Sequence, residues 1–208
     1  MKLYYAPGAC SLSPHIVAEE AGISLDLERV DILKLPHVTE AGVDFASISP
    51  RGYVPVLVLD DGTALTEGTA IVQYLADLAP EAGLAPLSGT LDRTRFQAWL
   101  NFVATELHKA YSPWLFHPEV GEQAQSYARK KIAERLAFVD SHLGATRPYL
   151  MGERFTAADA YLFTILGWSA FTKVDLSPFP NLRAFMDRVA ARPKVRAAMQ
   201  AERMKTAA

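Results

Sequence analysis

The chain has 208 residues, half of them apolar, and a formal net charge of −2 at pH 7. This length and hydrophobicity allow a buried core without disulfides or metals, and the charge excludes a strongly basic surface for nucleic acid or an anionic membrane. Cys10 is the only cysteine in the sequence, which excludes an intramolecular disulfide and suits a reducing compartment.

Strand and helix patterns alternate through the first 80 residues. Strands are predicted at residues 3–5, 25–32, 54–59 and 64–66. An Asp-Asp-Gly turn joins the last two strands as a hairpin. Helices are predicted at 14–21, between Ser13 as N-cap and Gly22, and at 67–78, and the mixed stretch between them allows a short helix near Phe45. The expected order over residues 1–80 is βαβαββα.

After a Pro- and Gly-rich linker at residues 79–89, strand patterns disappear. Helices are predicted at residues 91–115, 123–143, 156–170, 182–191 and 195–204. The third of them begins with Thr156-Ala-Ala-Asp159, a capping box with Asp in place of Glu. The sequence therefore predicts an all-α second domain at residues 87–208.

Cys10 follows a strand and a Pro-Gly turn and precedes a helix. A thiol at this place faces the positive end of the helix dipole, which favours the thiolate over the thiol. The alternative is that Cys10 is a small buried filler in the core. Its placement makes it the first candidate for nucleophilic chemistry.

Two further candidates lie on the later strands of the first domain. A cis Val54–Pro55 bond would turn the Val54 backbone away from the sheet, where an extended peptide could pair with it; the alternative is a trans proline at a strand entrance. Glu67 and Gly68 stand where a helix begins, so the helix N–H groups could hold a carboxylate and Glu67 a ligand ammonium. The alternative is an acidic residue that only complements the helix dipole.

A fourth candidate is a polar face on the long aromatic-rich helix. Asn101, Thr105 and His108 fall at i, i+4 and i+7 and share one side, with Glu106 beside them. The face fits either a polar pocket wall or the solvated side of an amphipathic helix. No metal-ligand spacing, phosphate loop or nucleophile elbow is present, so no metal cofactor is expected. No apolar run reaches the ~18 residues of a membrane helix, and no signal peptide is evident, so we expect a cytoplasmic protein.

Taken together, these segments resemble the glutathione transferase family, specifically its bacterial beta class. The N-terminal part of the resemblance reads Ala-Pro-Gly-Ala-Cys10-Ser-Leu-Ser-Pro-His15. The other matching segments are residues 1–5, 54–57, 65–68, 70–77, 99–102, 106–109 and 155–163. The resemblance implies an α/β thioredoxin-like N-terminal domain and an all-α C-terminal domain. It also implies a homodimer with each glutathione site at a domain and subunit boundary.

The resemblance also assigns roles to individual residues. Cys10 would lie beside the glutathione sulfur, with Ser11 able to assist the thiolate. The residues implied in glutathione binding are Lys34, Val54, Glu67, Gly68, Asn101, Thr105, Glu106 and His108. His108 is also carried over as catalytic, together with Cys10. Thr105 stands where the family commonly has serine, and the stretch around Lys34 aligns poorly.

The predicted function is conjugation of the glutathione thiolate to small hydrophobic electrophiles, a detoxification chemistry, because thiolate and not thiol is the nucleophile. A cysteine beside the glutathione sulfur also permits thiol–disulfide exchange. The alternatives are a glutathione-dependent disulfide reductase with little conjugation activity and a non-catalytic binder of hydrophobic ligands. Turnover separates the enzymes from the binder.

Overall fold

The computed structural model describes residues 1–144 and 146–204. The chain divides into two units: the first contains residues 1–84 and the described residues from 192 onward, and the second contains residues 85–191. Both units carry residues that the sequence predicts to be functional. None of the described helices combines the length and the apolar character needed to cross a membrane.

The first unit is built on a five-stranded sheet. Its strands are β1 (Lys2–Tyr5), β2 (Asp26–Asp31), β3 (Val38–Thr39), β4 (Val56–Val58) and β5 (Ala64–Leu65). The order across the sheet is β3-β2-β1-β4-β5, with β1 and β2 parallel and the other neighbours antiparallel. The helices are α1 (Leu12–Ala21) and α2 (Gly68–Leu78). The thioredoxin-like fold is confirmed, with the single turn of 3-10 helix Phe45–Ser47 where a second helix was allowed.

Local signals determine two of the connections in this unit. Gly22 ends α1 in the left-handed conformation, at φ 70°, and its N–H bonds to the carbonyls of the last turn, as predicted. Gly62, at φ 86°, allows the tight turn between β4 and β5, where the Leu59 N–H donates to the Thr63 oxygen at 2.8 Å. The hairpin that the Asp-Asp-Gly sequence predicts is therefore present.

The start of α1 differs from the prediction. The helix begins at Leu12, with Ser11 at the N-cap, rather than at Pro14 after Ser13. Ser13 instead donates its hydroxyl to the Cys10 carbonyl at 2.8 Å and lies inside the first turn. The proline could not reveal the true start, because proline is tolerated throughout the first turn of a helix. The earlier start brings Cys10 to within one residue of the N-cap.

The described residues of the second unit form helices, apart from isolated bridges. They are α3 (Leu91–Phe102), α4 (Lys109–Tyr111), α5 (Glu122–His142), α6 (Ala157–Gly167), α7 (Ser169–Thr172) and α8 (Pro180–Ala190). A π-helical segment, Val103–His108, joins α3 to α4, so the predicted helix 91–115 is one α-helix, one π-helical stretch and one short turn. The capping box of α6 is confirmed, with Thr156 and Asp159 bonding reciprocally.

The last helix, α9 (Pro193–Met204), belongs to the first unit, whereas the sequence placed it in the helical domain 87–208. Ion pairs attach its beginning to α1, since the Arg192 guanidinium meets both Glu20 oxygens at 2.6 and 2.8 Å. Near its end, the buried Glu202 lies 3.2 Å from the ring nitrogen Nδ1 of His15 and accepts the Gly8 N–H at 2.9 Å. Ala145 and residues 205–208 of the predicted domain lie outside the described residues.

Candidate functional site

Cys10 lies in the turn between β1 and α1 and is half-buried. Its sulfur is 3.4 Å from the carbonyl oxygen of Val54, so the structure brings these two predicted residues together. The Ser13 N–H and hydroxyl both donate to the Cys10 carbonyl, which fixes the cysteine backbone on the first turn of α1. Ser11 is fully buried, and its hydroxyl bonds to both backbone groups of Ala6 at 3.1 Å. Its side chain therefore stabilises the turn itself.

The Val54–Pro55 peptide bond is cis, which is the first of the two alternatives that the sequence left open. Val54 precedes β4 and is almost fully buried, and its N–H has no hydrogen-bond partner among the described residues. A Cβ placed on Gly68 would lie 3.7 Å from Cγ of Pro55, so the beginning of α2 packs directly on the proline ring. A continuous series of contacts therefore runs from the Cys10 sulfur to the N-terminus of α2.

The N-terminus of α2 has the properties of an anion site. Glu67 is its N-cap residue and lies at φ 69°, a left-handed conformation that is uncommon for a residue with a side chain. The Glu67 side chain makes no capping bond, and within the described chain the N–H groups of Gly68 and Thr69 have no partner. Two N–H groups at the positive end of a helix dipole suit a carboxylate.

Arg51 contacts this site, and sequence reasoning missed it. One guanidinium nitrogen, Nη1, lies 2.9 Å from Oε1 of Glu67, and the other, Nη2, donates to the Thr66 hydroxyl at 2.9 Å. The Pro50-Arg51-Gly52 sequence suggests a turn and nothing more. The partners lie 15 and 16 positions farther along the chain, so no local signal could have revealed the contact.

Lys34 lies on an exposed bend between β2 and β3. Within the described chain, no hydrogen bond or ion pair joins it to Cys10, Val54 or Glu67. The neighbouring Leu33 and Leu35 side chains are 90% and 86% exposed. The assignment of Lys34 to glutathione therefore stays a prediction from resemblance.

The four candidates of the second unit have different surroundings. Asn101 and Thr105 are exposed and joined, because the Thr105 hydroxyl donates to the Asn101 carbonyl at 2.9 Å. Glu106 is half-buried and accepts a hydrogen bond from Nε of Arg135 at 2.7 Å. His108 has other partners, Tyr161 and Trp168. The spacing argument assumed a regular α-helix, whereas residues 103–108 are π-helical and change the angle between successive side chains.

His108 is held by aromatic residues. Its Nδ1 atom lies 2.7 Å from the Tyr161 hydroxyl, and its ring is nearly perpendicular to that of Trp168, with 4.9 Å between the ring centres. Burial, with a smaller effect from the Lys109 charge, lowers the pKa of His108 to about 4. The imidazole is therefore neutral near pH 7: one ring nitrogen can donate a hydrogen bond and the other can accept one, but the ring carries no charge. Tyr161 and Trp168 gave no signal in the sequence beyond their apolar helical pattern.

Known proteins match both parts of the chain. The family model of the glutathione S-transferase N-terminal domain matches residues 8–78, and the family model of the C-terminal domain matches residues 102–193. Glutathione S-transferase GstA of Escherichia coli O157:H7 is 44% identical over 205 residues, which cover 99% of this chain and 100% of that protein.

Solved structures match over nearly the same length. A sphingomonad glutathione S-transferase complexed with glutathione superposes with a TM-score of 0.91 at 44% identity, covering 97% of this chain and 98% of the other. A bacterial beta class glutathione S-transferase from Sphingomonas chungbukensis matches with the same score, identity and coverage. The predicted resemblance to the beta class is confirmed. This chain belongs to the glutathione S-transferase family.

Proposed function

We propose that this enzyme binds glutathione beside Cys10 and transfers the glutathione thiolate to small hydrophobic electrophiles, as a cytoplasmic homodimer acting in detoxification. Family membership supports the activity, and the related sphingomonad structure contains glutathione. The single observation that supports glutathione binding at this place is the series of contacts from the Cys10 sulfur through Val54 and Pro55 to Gly68. This series connects a thiol, a peptide-pairing backbone and an anion site.

Glutathione has the chemistry that these groups require. It is a short peptide, so its central backbone can pair with the Val54 N–H, which has no partner within the described chain. Its γ-glutamyl carboxylate fits the N–H groups of Gly68 and Thr69, and its ammonium fits the Glu67 carboxylate. With the two ends held in this way, the cysteinyl sulfur of the ligand falls near Cys10.

The chain's contribution to conjugation is to favour the thiolate and to orient it. The N-terminus of α1 stabilises negative charge on a sulfur near Cys10. The glutathione thiolate attacks the electrophilic carbon, a carbon–sulfur bond forms, and the leaving group departs with the electron pair of the broken bond. Cys10 takes no part in this bond change, so conjugation depends on it only through the surroundings of the ligand sulfur.

The proposed set of glutathione-binding residues also includes Lys34, Asn101, Thr105, Glu106 and His108. Their assignment rests on the resemblance. The lowered pKa of His108 limits its role to that of a neutral hydrogen-bonding group. We expect single alanine variants of the exposed pair, Asn101 and Thr105, to raise the Kd for glutathione without unfolding the chain.

A second activity, thiol–disulfide exchange, is favoured by the half-buried Cys10 sulfur. In this reaction the Cys10 thiolate attacks the glutathionyl sulfur of a mixed disulfide, a new Cys10–glutathione disulfide forms, and the other thiol leaves as a thiolate. A second glutathione thiolate then attacks the glutathionyl sulfur of this adduct, which restores Cys10 and releases glutathione disulfide. Every step exchanges one disulfide for another, so no external oxidant is needed.

The homodimer is supported by an aromatic cluster on α3 and α5. Phe138 packs 5.9 Å from Trp99 and 5.3 Å from Phe102 between ring centres, yet its side chain is 53% exposed. Tyr127 on α5 is 63% exposed. Exposed aromatic clusters of this kind are typical of protein interfaces.

The test compares conjugation of chlorodinitrobenzene with reduction of a glutathione mixed disulfide, in the wild-type enzyme and in Cys10→Ala. We expect the wild type to catalyse both reactions and Cys10→Ala to retain only conjugation. Turnover of the mixed disulfide alone would favour the reductase, and binding of glutathione without turnover of either substrate would contradict the proposed function.

A further inference from the structure

We infer that Arg51 is a positioning residue for glutathione: it holds the Glu67 carboxylate in the orientation that receives the ligand ammonium. The inference rests on the proposed function, in which Glu67 binds the γ-glutamyl end. It adds a residue that neither the resemblance nor the spacing of motifs assigned.

The guanidinium of Arg51 joins two consecutive residues at the start of α2. It reaches Oε1 of Glu67 and the hydroxyl of Thr66, both at 2.9 Å, through its two terminal nitrogens. A planar guanidinium that uses both ends of its fork fixes direction as well as distance. The contact therefore sets the orientation of the Glu67 side chain, which no capping bond to α2 restrains.

The geometry leaves part of Glu67 available to a ligand. Arg51 engages Oε1, and within the described chain Oε2 has no hydrogen-bond or ion-pair partner. An ammonium can therefore bind Oε2 while the Arg51 contact remains. Both side chains are more than half exposed, at 58% and 66%, so the pair by itself adds little to folding stability.

Preorganisation explains how an exposed pair can matter for binding. Without Arg51, the Glu67 side chain would be free to rotate, and binding the ammonium would have to restrict that motion. The loss should appear in ligand affinity and not in the rate of the chemical step, because Arg51 lies at the ammonium end of the ligand and not at its sulfur.

Two other roles for Arg51 predict different results. If Arg51 only stabilised the turn before α2, its removal would weaken every ligand equally. If Arg51 competed with the ligand for Glu67, its removal would tighten the binding of glutathione. The comparison therefore needs a second ligand that lacks the ammonium.

The experiment measures Kd by calorimetry, and KM and kcat by conjugation, for Arg51→Met and Arg51→Lys with glutathione and with its deamino analogue. We expect Arg51→Met to raise the Kd and KM for glutathione about fivefold, with kcat within twofold, and to leave the Kd for the deamino analogue unchanged. Arg51→Lys, which keeps one charged donor, should recover part of the loss. Arg95→Met is the matched control, because Arg95 forms an ion pair of similar exposure with Asp92 in the second unit.

Equal losses for both ligands, no loss for either, or tighter glutathione binding would each overturn the inference. The wild type and Glu67→Gln separate this failure from failure of the proposed function. If the wild type binds glutathione and its deamino analogue equally well, the Glu67 assignment is wrong and the inference falls with it. If the wild type discriminates and Arg51→Met discriminates equally well, only the Arg51 inference is wrong.

Discussion

The Cys10 sulfur and the Val54 carbonyl oxygen are 3.4 Å apart, although 44 positions separate them in the sequence. The contact joins the candidate nucleophile to the backbone that is proposed to pair with a peptide ligand. In the free protein the thiol can donate its proton to this carbonyl, which places the sulfur over the backbone on which the ligand would lie.

Replacing Cys10 by Ala should separate binding from exchange. We expect thiol–disulfide exchange at this site to be abolished, because Cys10 is the only cysteine in the sequence. The Kd for glutathione should stay within about tenfold of the wild-type value, or ~1.4 kcal/mol, because other residues hold the charged ends of the ligand. Calorimetry and a mixed-disulfide assay measure the two effects.

The control for this variant is Cys10→Ser, which replaces the thiol with a hydroxyl donor of similar size beside Val54. It should bind glutathione like the wild type and also lack exchange. Loss of glutathione binding in Cys10→Ala, with binding retained in Cys10→Ser, would mean that the donor at position 10 holds the ligand directly.

Replacing Glu67 by Ala should have the converse effect. We expect Kd for glutathione to rise about 10- to 100-fold, since a hydrogen bond to a charged group contributes roughly 1.5–3 kcal/mol. The kcat should change only a few-fold, because Glu67 lies away from the reacting sulfur. Glu81→Ala, another exposed acidic position in the same unit, is the control and should leave Kd unchanged. A larger effect on kcat than on Kd would remove Glu67 from the binding role.

His108 should make stability depend on pH. Its pKa is about 4 in the folded chain and near 6.5 when unfolded, so the unfolded chain takes up a proton first as pH falls. The stability that the folded chain gains from keeping His108 neutral is therefore fully present above pH 6.5 and is lost as pH falls through 4. Urea unfolding at several pH values should show this loss in the wild type and not in His108→Gln. If the free energy of unfolding varied with pH in the same way in both proteins, His108 would have the same pKa in the folded and unfolded chains.

Asp159 should stabilise the fold of the second unit. It is fully buried, and its two oxygens accept three hydrogen bonds, from the Leu150 N–H and from the Thr156 N–H and hydroxyl. In Asp159→Asn, an amide NH₂ group replaces one of the two carboxylate oxygens. This group donates and would face an N–H or O–H that also donates, so we expect a loss of roughly 1–3 kcal/mol in the free energy of unfolding. Denaturant titration measures it.

Asp175→Asn is a matched control, since Asp175 accepts the same kinds of bond from the Ser177 N–H and hydroxyl but is exposed. This substitution should change the free energy of unfolding by no more than about 0.5 kcal/mol. Equal effects at the two positions would show that burial of Asp159 adds nothing to the cost.

The aromatic cluster of α3 and α5 provides the test of the dimer. Phe138→Glu places a charge among Trp99 and Phe102 and should shift the sedimenting species from twice 22.8 kDa to 22.8 kDa. Phe171→Glu, at a position that is 79% exposed in the same unit, should leave the assembly intact. A dimer that survives Phe138→Glu at micromolar concentration would place the interface elsewhere.

The features predictable from sequence are those whose cause acts over a few residues. Gly22 ends α1, the Asp-Asp-Gly turn makes the hairpin, and Thr156 with Asp159 caps α6. Each requires one backbone conformation or one local bond, so the residue type carries the information. The start of α1 was missed because Ser11 and Ser13 are equally good N-cap residues by type. In the structure neither hydroxyl caps the helix, since Ser11 bonds to Ala6 and Ser13 to the Cys10 carbonyl.

Features that depend on distant contacts gave no sequence signal. Arg51 and Glu67 meet only because the turn before β4 and the start of α2 come together on folding. Similarly, His108, at the end of the π-helical segment, contacts Tyr161, which lies 53 positions farther along the chain. At the site itself, Cys10 was identifiable from its position before a helix, whereas most binding roles came from resemblance and stay predictions.

The bond between Glu202 and the Gly8 N–H spans 194 positions of sequence. On the ribosome, the turn that carries Cys10 emerges early, but the buried carboxylate that anchors it arrives only after almost the whole chain has been made. A nascent chain that ends after residue 84 therefore lacks part of its own first unit, including the carboxylate that accepts the Gly8 N–H. The contact between Gly8 and Glu202 can therefore form only after the helical unit has been translated.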